Sequence, residues 1–351
     1  MLNKDSVKYS YNDIAVMPAD ISDINHRKET NPFYDNGNLP IFTAPMSSIV
    51  NEDNISTYLL NHINVIIPRN INIKERIRWM IEFNCFSAMS MQEARKYFLE
   101  DPNMIRKNGN KKMHLCIDVA NGHMRSLYDL VKRLKSAYTN ITIMTGNIAN
   151  PETIKYACEA GVDYIRIGIG TGAGCITSSN TAIHYPIASL IDECVKERHK
   201  NGGKVKIIGD GGIRNYNDVI KALALGADYV MIGGLFATCL EAGPVYQQFT
   251  NTITNEPRLS QNTDFHNLDL FHKFYGMASK EGMRDLGLKK HTAEGICKFV
   301  KITQTIEGWA NNMEDYLRSA MSYTGTTDIQ YFKYNATAIL ISGNTYQSVN
   351  K

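Results

Sequence analysis

The chain has 351 residues, 43% hydrophobic and 21% charged, with a formal net charge of +3, which is enough for a large α/β core and excludes an intrinsically disordered chain. The near-balance of charge excludes the basic footprint of a nucleic-acid-binding protein, and seven cysteines without a CxxC pair exclude a zinc or disulfide framework. No run approaches about 18 consecutive apolar residues and the first five residues hold no apolar core, so the expectation is a cytoplasmic protein with no membrane partner.

Short β-branched runs recur along the chain with helical stretches between them. In order they are Ile41–Ala44, Asn64–Ile67, Phe86–Met89, His114–Val119, Ile141–Met144, Tyr164–Ile167, Val205–Ile208 and Tyr229–Ile232. Between them, Met124, Leu127, Leu130, Val131 and Leu134, and again Val219, Ile220, Leu223 and Leu225, repeat at helical spacing. Eight strands alternating with amphipathic helices predict a closed (β/α)8 TIM barrel of class α/β; an open doubly wound sheet would use the same alternation. The expected organisation is one barrel domain over 1–351. Its C-terminal segment, about 245–325, is expected to carry a flap and closing loops, because roughly 110 residues after the eighth strand are too many for one closing helix.

Barrel chemistry belongs at the carboxyl ends of the strands. That rule places Pro45-Met46-Ser47-Ser48, Asp118, Asn147, the loop after Ile167, Asp210-Gly211-Gly212 and Gly233-Gly234 on one rim. The loop Gly168-Ile169-Gly170-Thr171-Gly172-Ala173-Gly174 sets four glycines ahead of Cys175, with Thr177 two places later. Glycine admits turns that side chains forbid, and a sulfur presented among converging amide N–H groups is a candidate nucleophile; the alternative is a buried structural cysteine. Gly211-Gly212 and Gly233-Gly234 end the seventh and eighth runs, where barrels hold phosphate on backbone N–H groups, although a strand-to-helix turn can demand the same pair. Asp210 is either a helix cap or an acceptor for vicinal ribose hydroxyls. The fifteen methionines, Trp79, Trp309, and histidines such as His62, His114 and His184 read as packing or solvated residues.

The cysteine loop, Gly209-Asp210-Gly211-Gly212-Ile213-Arg214, the segment 226–234 ending in Gly233-Gly234, and Phe274-Tyr275-Gly276-Met277 together resemble the IMP dehydrogenase/GMP reductase family, over roughly Tyr11 to Gly325. The resemblance implies a tetrameric barrel in which Cys175 attacks C2 of a purine nucleotide and Thr177 helps to move protons. It implies Asp210 on the ribose, Gly211, Gly212, Gly233, Gly234 and Tyr275 around the 5′-phosphate, Met277 at the base, and Gly276 among the substrate-binding residues. Asp118, Val119, Ala120, Ile169, Gly170, Ser319 and Ser322 would line the cofactor side, for NADPH with NADH as the alternative. Carbonyls of Gly170, Gly172 and Cys175 would hold a monovalent cation such as potassium.

Within the family, the dehydrogenases carry a CBS insert after the second strand and an Arg-Tyr pair that activates water. The segment between Arg69 and Cys116 is too short for such an insert, and Met277 to Glu294 holds no Arg-Tyr. His291-Thr292-Ala293-Glu294-Gly295 instead resembles the reductase segment, which implies Glu294 as the acid for a departing amine. The expected reaction is reductive deamination of GMP to IMP and ammonia through a Cys175 thioimidate. IMP oxidation, a reductase for another purine nucleotide and a nucleotide-sensing barrel without activity are the alternatives. Four residues depart from the reductase pattern: Ala173 stands in place of a phosphate-binding serine, and Ala278, His291 and Ala293 in place of Ser, Arg and Ser. Asp20 stands near the place of a basic residue, where its charge would oppose a cofactor 2′-phosphate.

Overall fold

Side chains alternate between the two faces of a strand, and each run read as a strand has both faces apolar, as a strand between a core and a shell of helices requires. The computed structural model describes residues 7–101, 111–249, 252–253, 269–288 and 292–349. After β1 (Ile14–Met17) come β2 (Ile41–Thr43), β3 (Ile66–Ile67), β4 (Phe86–Met89), β5 (Met113–Asp118), β6 (Ile141–Ile148), β7 (Tyr164–Ile167), β8 (Lys206–Asp210) and β9 (Tyr229–Ile232). From β2 to β9 they form one eight-stranded sheet in the order β2-β9-β8-β7-β6-β5-β4-β3, all parallel. The sheet closes on itself: Phe42 bridges Asn64 just ahead of β3, and Thr43 N donates to Asn64 O at 2.9 Å. The architecture is the (β/α)8 barrel, and the doubly wound alternative is excluded.

Inside the barrel, rings from Phe42, Phe86, Tyr164 and Tyr229 pack edge to face or tilted, with centroids 4.9–6.0 Å apart. Phe86, Tyr164 and Tyr229 are the first residues of their strands, so the plug fills the amino-terminal half. Ala88, Cys116, Met144, Ile208 and Met231 complete this inner core. Outside, the helix Arg125–Ala137 buries Leu127, Leu130, Val131 and Leu134, and Tyr216–Ala224 buries Val219 and Leu223, whereas Ile220 and the flanking Met124 and Leu225 of the same expected stripes are partly buried. The helix Ile306–Tyr323 buries Trp309, Met313, Leu317 and Met321 and is capped by Thr305, whose Oγ1 accepts from Gly308 N at 3.0 Å.

The segment after β9 contains a sheet of its own that the sequence reading did not foresee. β10 (Val245–Phe249), β11 (Thr252–Ile253), β12 (Leu270–Tyr275) and β13 (Cys297–Lys301) make an antiparallel sheet in the order β11-β10-β12-β13. In β12 the buried positions are Leu270, His272 and Phe274, and a histidine in the buried series hides the alternation. Its ring nitrogens meet Pro244 O at 2.9 Å and Cys239 O at 2.8 Å, and burial pulls its pKa down. A second unforeseen pairing joins β1 to β14 (Thr337–Leu340), antiparallel, with Ile14 opposite Leu340.

The amino end of the barrel is fastened by a buried charge cluster. Asp228 Oδ2 accepts from Arg198 Nη1 at 2.5 Å and Ile207 N at 2.8 Å, and its Oδ1 accepts from Lys333 Nζ at 2.8 Å. Removing the carboxylate would strand two buried cations. We expect Asp228→Asn to cost about 3–5 kcal/mol in denaturant unfolding; a loss below about 1 kcal/mol would mean that water already screens the cluster.

Candidate active site

β7 ends at Ile167 and delivers the chain into the cysteine loop. Gly168 sits at φ +128°, where a side chain would run into the Asp210 carbonyl and the Thr171 hydroxyl. Gly211, at φ +96°, is closed in by Thr171 and Gly172 in the same way. Two loops therefore lie directly against each other, and only glycine permits the approach. Thr171 laces them together: its Oγ1 donates to Asp210 O at 3.0 Å, and its carbonyl accepts from Gly212 N at 2.9 Å.

A third segment, 292–296, crosses this pair. Ile176 N donates to Glu294 O and Ile296 N to Gly174 O, both at 2.9 Å, so that Cys175 and Gly295 pair like residues of an antiparallel ladder. Glu294 N in turn donates to Ala278 O at 3.0 Å. This backbone pairing brings the Glu294 carboxylate to the cysteine. The Cys175 thiol donates to Thr177 Oγ1 at 3.3 Å, and that hydroxyl donates to Glu294 Oε2 at 3.0 Å. Thiol, hydroxyl and carboxylate form one directed relay. By contrast Cys85, Cys116, Cys194 and Cys239 are buried, and burial pushes the Cys85 and Cys116 thiols up to about 12.

A cavity of about 200 Å³ opens at this relay. Of the residues expected around a nucleotide, Cys175, Asp210, Gly211, Gly212, Gly233, Gly234, Gly276, Met277 and Glu294 line it, with Ala173 and Ala278 among them. Tyr275 stands beside the cavity and not on its wall. Its hydroxyl donates to Asp285 Oδ2 at 2.8 Å, an oxygen that also accepts from Ser47 Oγ at 3.0 Å. Burial, opposed by the Ser47 hydrogen bond and reinforced by the Asp285 carboxylate, pushes the Tyr275 hydroxyl up to about 12. A wider hollow of about 690 Å³ lies away from the rim beside Lys8, Pro151 and Lys200 and contains none of these groups.

One central residue was not singled out in the sequence. Arg166, on the inward face of β7, is buried between two carboxylates: Nη1 donates to Asp118 Oδ1 at 2.5 Å, and Nε and Nη2 donate to Asp210 Oδ2 at 3.1 and 3.0 Å. Asn147 Nδ2 adds a bond to the same Asp210 oxygen at 2.7 Å and one to Gly168 O at 2.8 Å. Asp210 Oδ1 accepts no hydrogen bond among the described residues. Burial acts to lower the Arg166 pKa, but Asp210 and Asp118 outweigh it and the net shift is upward. The sequence signal was present, since Arg166 is the only charged residue in an apolar strand that leads into the cysteine loop.

The remaining expected residues divide into two groups. Asp118 ends β5 and Val119 and Ala120 follow it, Ile169 and Gly170 follow β7, and Asn147 on β6 joins the two ends through Val119 O at 3.0 Å and Gly168 O. These strand ends form one strip of the rim beside Cys175, with a carboxylate and an amide in it, a donor set that fits a ribosyl amide. Ser319 and Ser322 lie elsewhere. They end the helix Ile306–Tyr323, where Arg318 stacks on Phe33 and Phe33 packs on His62, at the amino end of the barrel. Ser319 Oγ donates to Asp315 O at 2.9 Å and Ser322 Oγ to Ser319 O at 2.8 Å.

The proposed cation carbonyls are engaged within their own loop: Gly170 O accepts from Ser178 Oγ at 3.1 Å and Gly172 O from Cys175 N at 3.0 Å. Each of these carbonyls keeps a second lone pair. No cluster of three His, Cys, Asp or Glu side chains suited to a metal occurs among the described residues. No helix among them is long and apolar enough to cross a membrane. His291 lies outside the described residues. Asp20, expected near a cofactor phosphate, turns its Oδ1 to Ile21 N at 2.9 Å.

Fold and site define a (β/α)8 barrel with a cysteine, hydroxyl and carboxylate relay on a glycine-walled cavity at its carboxyl rim. The chain belongs to the IMP dehydrogenase/GMP reductase family: residues 103–350 match the family's IMP dehydrogenase / GMP reductase domain. It is similar to a protein named GMP reductase in Caenorhabditis elegans, 32% identical over 240 residues, covering 66% of this chain and 60% of that protein. A GMP reductase of Enterobacter sp. (strain 638) is 34% identical over 273 residues, covering 74% of this chain and 73% of its own. For one of Vibrio cholerae (strain ATCC 39541) the figures are 32% over 235 residues, 65% and 61%. The matched region thus spans about 60% of the C. elegans and V. cholerae relatives.

Because Arg166 neutralises two carboxylates at once, Arg166→Met leaves both facing each other without a counterion. We expect a loss of about 3–5 kcal/mol by denaturant unfolding, larger than that of Asp210→Asn. Equal losses for the two variants would show that the guanidinium is not the common tie.

Proposed function

We propose that the chain is an NADPH-dependent reductase that converts GMP to IMP and ammonia. The observation that carries this reading is the directed chain from the Cys175 thiol through Thr177 Oγ1 to Glu294 Oε2. It supplies the two things that the reaction asks of the protein, a nucleophile relieved of its proton and an acid charged with one.

In this reading the purine lies over Met277 and its ribose hydroxyls meet Asp210, held in place by Arg166 and Asn147. Gly211, Gly212, Gly233, Gly234 and Gly276 line the phosphate end. Cys175 Sγ adds to C2 as its proton passes by way of Thr177 to Glu294. The Glu294 proton then goes to the exocyclic amine, the C2–N bond breaks and ammonia leaves, which creates the thioimidate between Sγ and C2. Asp118, Val119, Ala120, Ile169 and Gly170 would hold the nicotinamide nucleotide, which when bound supplies a hydride to C2. With the hydride in place the C2–S bond breaks, the electron pair returns to sulfur, IMP departs, and the Cys175 thiolate regains a proton from solvent. A monovalent cation held by the carbonyls of Gly170, Gly172 and Cys175 would brace the cysteine loop and take no part in the bond changes.

Ser319 and Ser322 lie at the barrel's far end, so in this reading they meet a cofactor only across a contact with another copy of the chain, as a homotetramer would provide. Hydrolytic oxidation of IMP needs a group to activate water, and the stretch between Met277 and Glu294 holds no Arg-Tyr pair for it. The relay bears on catalysis, so a sensor barrel is the weaker reading.

The test is to incubate the purified chain with GMP and NADPH and to measure IMP, ammonia and loss of reduced cofactor. We expect turnover, its abolition in Cys175→Ala, and a fall of about 10²–10⁴ in kcat for Glu294→Gln. Reduction of NAD in the presence of IMP, without consumption of GMP, overturns the assignment. Full activity in Cys175→Ala excludes the covalent route.

A further inference from the structure

Beside the nucleotide cavity, behind the cysteine loop, lies a second depression of about 450 Å³. The two meet along Ala173, Gly212 and Ile213, which line both. At that divide Ala173 offers only a methyl group, Gly212 has no side chain, and the Ile213 side chain is buried. The charged lining of the second depression is of one sign: Arg214 and Lys298, with the His184 imidazole and no carboxylate among the lining residues.

These cations are positioned and not saturated. Arg214 Nη2 donates to Asn12 Oδ1 at 2.6 Å, and its Nε lies 4.0 Å from Asp218, which leaves further guanidinium donors for a ligand. Lys298 Nζ stands 5.7 Å from the centroid of Phe274, a ring that lines the nucleotide cavity. Tyr11 forms another wall; it is buried, and its hydroxyl has no hydrogen-bond partner among the described residues. Cations gathered in a concave site without counter-carboxylates create a potential that favours an anion.

We propose that this depression is a phosphoryl-binding subsite that takes an anionic group beyond the first phosphate of the nucleotide. The proposal rests on reading the adjoining cavity as a nucleotide site. Ala173 fits it, because it removes a hydroxyl that would hold the first phosphate and leaves the divide low enough for a phosphate chain to cross. The phosphoryl group arrives either tethered, as the second phosphate of a nucleoside diphosphate, or free, as a separate phosphoanion.

Calorimetric titration of the full chain with GMP, GDP and inorganic pyrophosphate, repeated on the Arg214→Ala/Lys298→Ala variant, tests the subsite. Both residues are outside the relay and exposed, so the fold tolerates their loss. The expected result is that GDP binds about fivefold or more tightly than GMP and that the variant erases this advantage while its GMP affinity is unchanged. Equal affinities for GMP and GDP, together with pyrophosphate binding that the variant loses, keep the subsite and assign it a free anion. If GMP does not bind but pyrophosphate does, in the same Arg214- and Lys298-dependent way, the nucleotide reading of the cavity fails and the subsite stands. The proposal is overturned if GDP shows no advantage and pyrophosphate does not bind, or if the GDP advantage or the pyrophosphate binding survives the double substitution.

Discussion

A single guanidinium shut inside the barrel between two carboxylates fixes the geometry of the rim. Arg166 cannot leave without stranding Asp118 and Asp210, and each of those carboxylates ends a different strand. Through Asp210 the constraint passes outward: its carbonyl takes the Thr171 hydroxyl, Thr171 O takes Gly212 N, and the cysteine loop is thereby set against the loop after β8. A buried ion pair is weak evidence of stabilisation, because desolvation consumes most of the Coulomb gain. What it supplies here is position. Three donors on one oxygen of Asp210 leave its other oxygen oriented and uncommitted, which is what recognition of a diol needs.

The arrangement also explains why the aromatic plug sits where it does. Rings from β2, β4, β7 and β9 fill the amino-terminal half of the interior, so the polar layer of Arg166, Asp118, Asn147 and Asp210 has a dry floor. In the lower dielectric above that floor the network holds together more firmly than it would in water. A cavity walled by glycine then follows from crowding: two loops packed this closely leave no volume for side chains at Gly168 and Gly211.

Local patterns in the chain revealed the barrel because each strand and each outer helix carries its own periodicity; Leu127, Leu130, Val131 and Leu134 declare a buried stripe without reference to anything distant. The cysteine loop was legible for the same reason, since four glycines ahead of one sulfur are a local anomaly. Arg166 was harder, because its meaning depends on carboxylates 44 and 48 residues away and on the parity that turns it inward. The β1–β14 pairing is further still from local: Ile14 and Leu340 meet only after the barrel closes. His272 illustrates a third kind of loss. Its buried ring is satisfied by two carbonyls, so a polar residue occupies a position that periodicity assigns to the core. Ser319 and Ser322 show the reverse, residues assigned to the cofactor by resemblance that one copy of the chain places at the barrel's other end.

The carboxylate of the relay is held differently from its thiol. Cys175 belongs to a loop fixed on two sides by glycine packing, whereas Glu294 reaches the thiol because 292–296 pairs its backbone with that loop and with Ala278. Main-chain hydrogen bonds of this kind specify register and not side-chain identity. A slip of one residue would turn Glu294 to the opposite face and bring Ala293 or Gly295 to Thr177. Gly295 guards against it. A side chain there would press on Ser279 N and Gly174 O, so only one alignment seats a glycine against the cysteine loop, and that alignment delivers the carboxylate. The chemistry of the site therefore depends on a strand pairing whose register is set by the absence of a side chain next door.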